Sequence, residues 1–160
     1  MILPLKAESR RIMYMPNYNS LNHCTWECKY HVVFTPKYRK KTIFGFIRKE
    51  LKEVFHRLAG QKECKIEEGY LMQDHVHMLI SIPPKHSIST IVGFIKGKSS
   101  IWVAQNIANK QQNFAGHKFW ARGYFVSTVG ANEEVVRKYV QNQESEDKRA
   151  DQLNLFYRSK

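Results

Sequence analysis

His75-Val76-His77 sets two imidazoles two residues apart, and in an extended segment such residues project to the same side. Their Cα atoms would stand about 7 Å apart, near enough for both rings to converge on one cation, with Val76 and Met78 turned away. Tyr139 and Gln143 form a second pair. Four residues apart, they share one face if the segment is helical. A tyrosine hydroxyl ionises at about pH 10 and is a weak nucleophile near neutrality. A cation on a phosphate oxygen would withdraw charge, stabilise the transition state and help deprotonate an adjacent phenol. Two imidazoles and an amide oxygen leave coordination positions open for that phosphate oxygen and for water, and the oxygen content suits Mg²⁺ or Mn²⁺. Attack by the phenol would yield a phosphotyrosine that retains the phosphodiester energy. A nucleic-acid hydroxyl could reverse the step without ATP or a hydrolytic water.

Each pair also has a plainer reading. Two histidines on a strand can simply line a solvated face, and Tyr139 beside Val135, Val136 and Val140 can be core packing. A nucleotide hydrolase built on alternating histidines would want a third at position 79, which is Leu79. Cys24 and Cys28 with His23 and His31 lack the second cysteine pair and the spacing of a structural zinc site, so buried thiols are the better reading. Lys96 and Lys98, around Gly97 and before Ser99-Ser100, are placed to contact phosphate or to form a solvated helix face. Trp120, Arg122 and Tyr124 alternate as residues on one strand face would, either gripping single-stranded bases or dividing core from surface. A phosphate-cradling Gly-x-x-x-x-Gly-Lys loop, a His-Glu-x-x-His zinc motif and a Gly-x-Ser-x-Gly elbow are all absent.

The elements that must position these groups follow from periodicity. Residues 1–22 read as an irregular N-terminal extension, within which Met13 or Met15 could also serve as the start. From Thr25, Trp26, Cys28, Tyr30, Val32 and Phe34 alternate with polar residues up to Pro36, the pattern of a strand with one buried face. The basic run Lys37 to Lys41 leads to a helix carrying Ile47, Leu51, Val54, Phe55 and Leu58 and stopping near Gly60. Strands are expected near Lys65–Met72 and His75–Ile82, joined by a tight turn at Gln73-Asp74. A second helix is expected from Ser87, weakened locally by Gly93 and Gly97, then a strand from Phe119 to Val129. Gly130 breaks the chain before a final helix that Asn132 would cap and that carries Tyr139. Strand, helix, strand, strand, helix, strand is the ferredoxin-like (RRM-like) α+β arrangement with an antiparallel sheet, here followed by a C-terminal helix bearing the nucleophile. One domain over residues 23–147 and a polar tail over 148–160 complete the expected organisation.

Composition points to the partner. In 160 residues, 26 Lys and Arg against 14 Asp and Glu leave a formal charge of +12, an excess that draws polyanions and favours nucleic acid. The three cysteines do not form a disulfide framework, and neither a bilayer-spanning run nor a signal-peptide core is visible, so a cytoplasmic location away from membranes is expected.

Several segments together resemble a known family. Tyr30-His31-Val32-Val33-Phe34-Thr35-Pro36-Lys37-Tyr38-Arg39 is similar to the opening strand of the single-tyrosine HUH transposases, which move the smallest single-stranded-DNA insertion sequences. Gln73-Asp74-His75-Val76-His77-Met78-Leu79 resembles their histidine strand, and Tyr139-Val140-Gln141-Asn142-Gln143 their nucleophile helix. Phe94 to Ser100 and Phe119 to Tyr124 resemble two further blocks, in the same order. The resemblance implies His75, His77 and Gln143 as ligands of a divalent metal and Tyr139 as the nucleophile. It further implies hairpins in single-stranded DNA as substrate, a 5′-phosphotyrosine intermediate, and a homodimer in which the tyrosine helix can complete the partner's histidine site. Gly130 stands where a hinge would be needed, and Lys37, Arg39, Lys96, Lys98 and Arg122 are candidate DNA contacts. A domesticated relative acting on chromosomal palindromic repeats fits the same resemblance. A non-catalytic single-stranded nucleic-acid binder and a metal-dependent nuclease using water are the alternatives from other classes.

Overall fold

A computed structural model describes residues 19–21, 24–107, 119–130, 134, 137–143 and 145. Its elements are β1 (Asn19–Leu21), β2 (Cys24–Trp26), β3 (Lys29–Phe34), α1 (Gly45–Gln61), β4 (Lys65–Leu71), β5 (Val76–Ser81), α2 (Ile88–Asn106) and β6 (Phe125–Val129). Residues 137–143 are helical and are termed α3. The main sheet has the order β4-β5-β3-β6 with every neighbouring pair antiparallel. The first and third strands of the βαββαβ unit therefore lie side by side at the centre, the ferredoxin-like arrangement that the element order predicts.

Strand parity decides which side chains meet the helices. Val32, Phe34, Val76, Met78 and Ile80 point to the helix side and join Leu51, Val54, Phe55, Ile91, Val92 and Ile95 in one core. The apolar stripe on α1 runs at the spacing that turns one helical face to the sheet. Ser87 caps α2, its side chain accepting from the Thr90 amide, and Gly93 and Gly97 do not interrupt that helix. Leu79 has the opposite parity yet is fully buried, so the second face of the sheet is not simply solvated.

Three boundaries differ from expectation. Regular structure begins inside the segment read as irregular, because Asn19–Leu21 pairs with Cys24–Trp26 as a hairpin. The first long strand is accordingly split at Glu27-Cys28. The last strand begins at Phe125 rather than Phe119, since Gly123 takes φ +78°, a left-handed conformation that breaks an extended run. The Asn132 cap lies outside the described residues.

Trp120 is therefore not an exposed stacking residue beside Arg122 and Tyr124. It is buried, packs edge-on to Phe34, and donates its indole N–H to Ser99 Oγ at 2.8 Å. Ser99 is itself fully buried, so Ser99→Ala would strand that N–H without an acceptor. A loss of about 1–3 kcal/mol is expected. It would show in urea unfolding as a lower midpoint with an unchanged slope.

Candidate active site

The turn between β4 and β5 is tied down by the basic loop that follows β3. The Thr42 and Ile43 amides both donate to the Gln73 carbonyl, at 3.0 and 3.1 Å. Within that loop Tyr38 and Arg39 take φ of 61° and 47°, left-handed conformations unusual for side-chain-bearing residues. Tyr38 is left 82% exposed, while Arg39 reaches back to donate to Asp74 Oδ2 at 3.2 Å. The other carboxylate oxygen, Asp74 Oδ1, lies 2.6 Å from His75 Nδ1. Partial burial works against ionisation of Asp74, but the hydrogen bond and charge of His75, with Arg39 behind them, hold its carboxyl below the ordinary aspartate value.

His75 precedes β5 by one residue and His77 is its second residue. Their ring centroids are 4.9 Å apart, so the two imidazoles do share a side, with the fully buried Val76 facing the core. A third histidine joins them. His31 pairs in register with Leu79, one step diagonally from His77 on the neighbouring strand, and its Nε2 lies 3.0 Å from His77 Nδ1. His31 was not singled out as a site residue from the sequence. The signal was present in its parity, opposite to Tyr30, Val32 and Phe34, combined with a topology that sets the first strand against the histidine strand.

Burial, aided by the charges of His75 and His31, pushes the His77 imidazole down to about 4 from 6.5. His31 is likewise lowered by burial. Between those values for His77 the unfolded chain binds a proton that the folded chain refuses. The unfolded state thus gains protons as pH falls, so stability is full above about pH 6.5 and is lost as pH drops towards 4. Denaturant unfolding of metal-free protein across that range should show the decline, and His77→Phe should reduce its slope.

The chemistry of these groups fits a divalent cation. Neutral imidazole is the ligating form, and a carboxylate on the second ring nitrogen is the usual support for a ligating histidine. Among the described residues no group of three or more His, Cys, Asp or Glu is gathered to hold an ion, so any third donor must be of another type or come from elsewhere. Gln143 carries an amide oxygen, a donor type of that kind. Its Nε2 donates to Tyr139 Oη at 2.7 Å along α3, which leaves its carbonyl oxygen free of that bond. Tyr139 is 53% exposed, whereas Val140 next to it is buried, so packing falls to the valine and the phenol is presented outward. Among the described residues neither Tyr139 nor Gln143 hydrogen-bonds to a histidine, and the two pairs form separate half-sites.

The basic candidates fall in different settings. Lys37, Arg39, Lys98 and Arg122 are exposed. Lys96 is partly buried and donates to the carbonyls of Ala121 at 2.8 Å and Gly123 at 2.6 Å, which anchors the segment before β6. Burial lowers the pKa of its ammonium. Gly130 follows β6 directly and is exposed, with open space among the described residues where a Cβ would stand.

Comparison with known proteins agrees with this architecture. Residues 24–143 match the family model described as "Transposase IS200 like". The chain is 39% identical over 143 residues to the transposase for insertion sequence element IS200 of Salmonella typhimurium, covering 89% of this chain and 94% of that one. It is 26% identical over 123 residues to the ISDra2 transposase TnpA of Deinococcus radiodurans, covering 76% and 88%. A crystal structure of a candidate transposase from Deinococcus radiodurans superposes with a TM-score of 0.64 at 25% identity, over 78% of this chain and 97% of that one. A REP-associated tyrosine transposase solved with a REP hairpin shares the fold, with a TM-score of 0.53 at 10% identity over 78% and 66%. No described helix is long and apolar enough to cross a membrane. On the match across residues 24–143 and the identity to the Salmonella transposase, the chain belongs to the IS200-like transposase family.

Proposed function

We propose that the protein cleaves and rejoins single-stranded DNA by transesterification, with Tyr139 as nucleophile and His75, His77 and Gln143 as ligands of Mg²⁺ or Mn²⁺. The observation that carries the reading is the pair of half-sites: two adjacent imidazoles, each supported at Nδ1, and an exposed phenol bound to an amide one turn away. When bound, the cation would polarise the scissile phosphate and offset its negative charge. Tyr139 Oη attacks phosphorus as its proton departs, and the bond from phosphorus to the 3′ oxygen breaks. That oxygen takes up a proton and leaves as a free 3′ hydroxyl, and the phosphate, now bonded to Tyr139 Oη, stays joined through its 5′ oxygen to the DNA. Attack on the phosphotyrosine by a 3′ hydroxyl reverses the step and rejoins DNA.

The substrate is read as DNA carrying hairpins near element ends. The neighbour solved with a REP hairpin and the +12 charge both support this. Lys37, Arg39, Lys98 and Arg122 are the proposed phosphate contacts; Lys96 belongs with them through the loop it anchors. We read the protein as acting in the bacterial cytoplasm, as a homodimer in which α3 of one subunit serves the histidines of the other, with Gly130 as the hinge. Purified protein incubated with Mg²⁺ or Mn²⁺ and a hairpin-bearing single-stranded oligonucleotide should give a DNA–protein adduct that survives denaturant and is lost with chelator. Cleavage without an adduct would instead mark a nuclease using water. Binding indifferent to chelator and without cleavage would mark a non-catalytic binder.

A further inference from the structure

His75 and His77 are held alike, each by its Nδ1. A carboxylate only accepts, so Asp74 holds His75 with hydrogen on Nδ1 and a lone pair on Nε2. The contact between His77 Nδ1 and His31 Nε2 admits two proton placements. If His77 donates, its own Nε2 is bare and free to bind a cation. If His31 donates, neutral His77 carries its hydrogen on Nε2 and cannot bind one there. We propose that His31 is a positioning residue, accepting the Nδ1–H of His77 and thereby fixing the tautomer in which His77 Nε2 is free to ligate a divalent cation.

The geometry supports a directed hydrogen bond rather than chance proximity. The ring planes differ by only 7°, and the centroid separation of 5.2 Å exceeds the nitrogen separation of 3.0 Å by about one ring diameter. The rings therefore lie edge to edge in nearly one plane, where the nitrogen lone pair of one faces the N–H of the other. Phe125 meets His31 edge-on at 6.2 Å and limits its rotation. Both rings are buried, at 8% and 9% exposure, so water is a poor substitute acceptor for the His77 N–H. Without His31 that N–H would be stranded, and the ring would turn to the Nε2–H tautomer. The same bond commits His31 Nε2, which makes His31 a support for the ligand and not a third ligand.

This inference rests on the reading of His75 and His77 as ligands, and the experiment separates the two. Long-range ¹H–¹⁵N correlation on the metal-free, full-length protein reads the His77 tautomer directly. The wild type is expected to show Nδ1–H, and His31→Leu a shift to Nε2–H. Mn²⁺ titration followed by electron paramagnetic resonance should then show affinity lowered about 10–100-fold in His31→Leu, as for loss of a hydrogen-bond partner behind a ligating histidine. His31→Gln, whose Oε1 can replace the lost acceptor, should restore both readouts. Should His31→Leu not fold, His31→Asn, whose amide is too short to reach, takes its place.

Nε2–H on His77 in the wild type would overturn the proposal. So would Mn²⁺ affinity unchanged in His31→Leu but lost in His77→Ala, or His31→Gln as weak as His31→Leu. Mn²⁺ binding unaffected by His77→Ala would instead remove the ligand reading, while the tautomer measurement still decides what His31 does to His77.

Discussion

Tyr139→Phe is expected to abolish the covalent DNA adduct while leaving fold and DNA binding in place. The substitution removes one oxygen atom from a side chain that is 53% exposed. What that oxygen touches is the Gln143 amide, on the same exposed helical face, and water can replace the lost bond. Stability should therefore change by no more than about 0.5 kcal/mol, as for surface substitutions away from buried networks. Catalysis should fall by on the order of 10⁴-fold or more, since deletion of a covalent nucleophile costs that much where it has been isolated. The contrast between an unmoved melting curve and a vanished adduct is the diagnostic feature. Tyr38 supplies the internal control. It is a second exposed phenol, at 82%, in the basic loop beside Arg39, so Tyr38→Phe should keep the adduct. An undiminished adduct in Tyr139→Phe would remove that residue from the nucleophile's role and point to another phenol such as Tyr38.

Legibility from sequence followed the strength of the periodic signal. Helix α1 was readable because its apolar residues repeat at helical spacing up to Gly60, and strands β4 and β5 because turn residues bound them, Gln73-Asp74 between the two and Pro83-Pro84 after the second. The run from Phe119 to Val129 misled because Trp120, Arg122 and Tyr124 alternate as a strand would. Alternation cannot register that Gly123 turns left-handed or that the Trp120 indole finds Ser99 on α2. Proximity of His75 and His77 came from spacing alone, as did that of Tyr139 and Gln143, since both pairs lie within one element. His31 and the Arg39–Asp74–His75 chain did not, because each joins elements distant in sequence. His31 needed the register of β3 on β5, and Arg39 needed a left-handed loop to send its side chain back to the turn. Pairwise contacts across strands are what a one-dimensional pattern omits.

Two half-sites with no hydrogen bond between them among the described residues lead to the second large expectation, which concerns which chain supplies the tyrosine. His75→Ala should be inert because it removes one proposed ligand, and Tyr139→Phe because it removes the proposed nucleophile. Both substitutions fall on partly or largely exposed side chains, and neither empties the core. In a symmetric dimer whose α3 serves the partner's histidines, a mixed dimer has one site with both defects and one with none. Random exchange makes half of the dimers mixed, so co-expression of the two inert chains should restore about a quarter of the wild-type sites. The DNA should be attached only to the His75→Ala chain, which alone keeps Tyr139, and a size tag on either chain would show this on a denaturing gel. If α3 serves its own histidines, every site in the mixed dimer lacks one half, and no adduct should return. Gly130 gives the trans arrangement a further handle. It lies just after β6 with nothing among the described residues within 4 Å of where a Cβ would stand, so Gly130→Pro would narrow its backbone freedom without a clash at its Cβ. A hinge there predicts that this change depresses adduct formation in the mixed dimer and the wild type alike, with unfolding little altered.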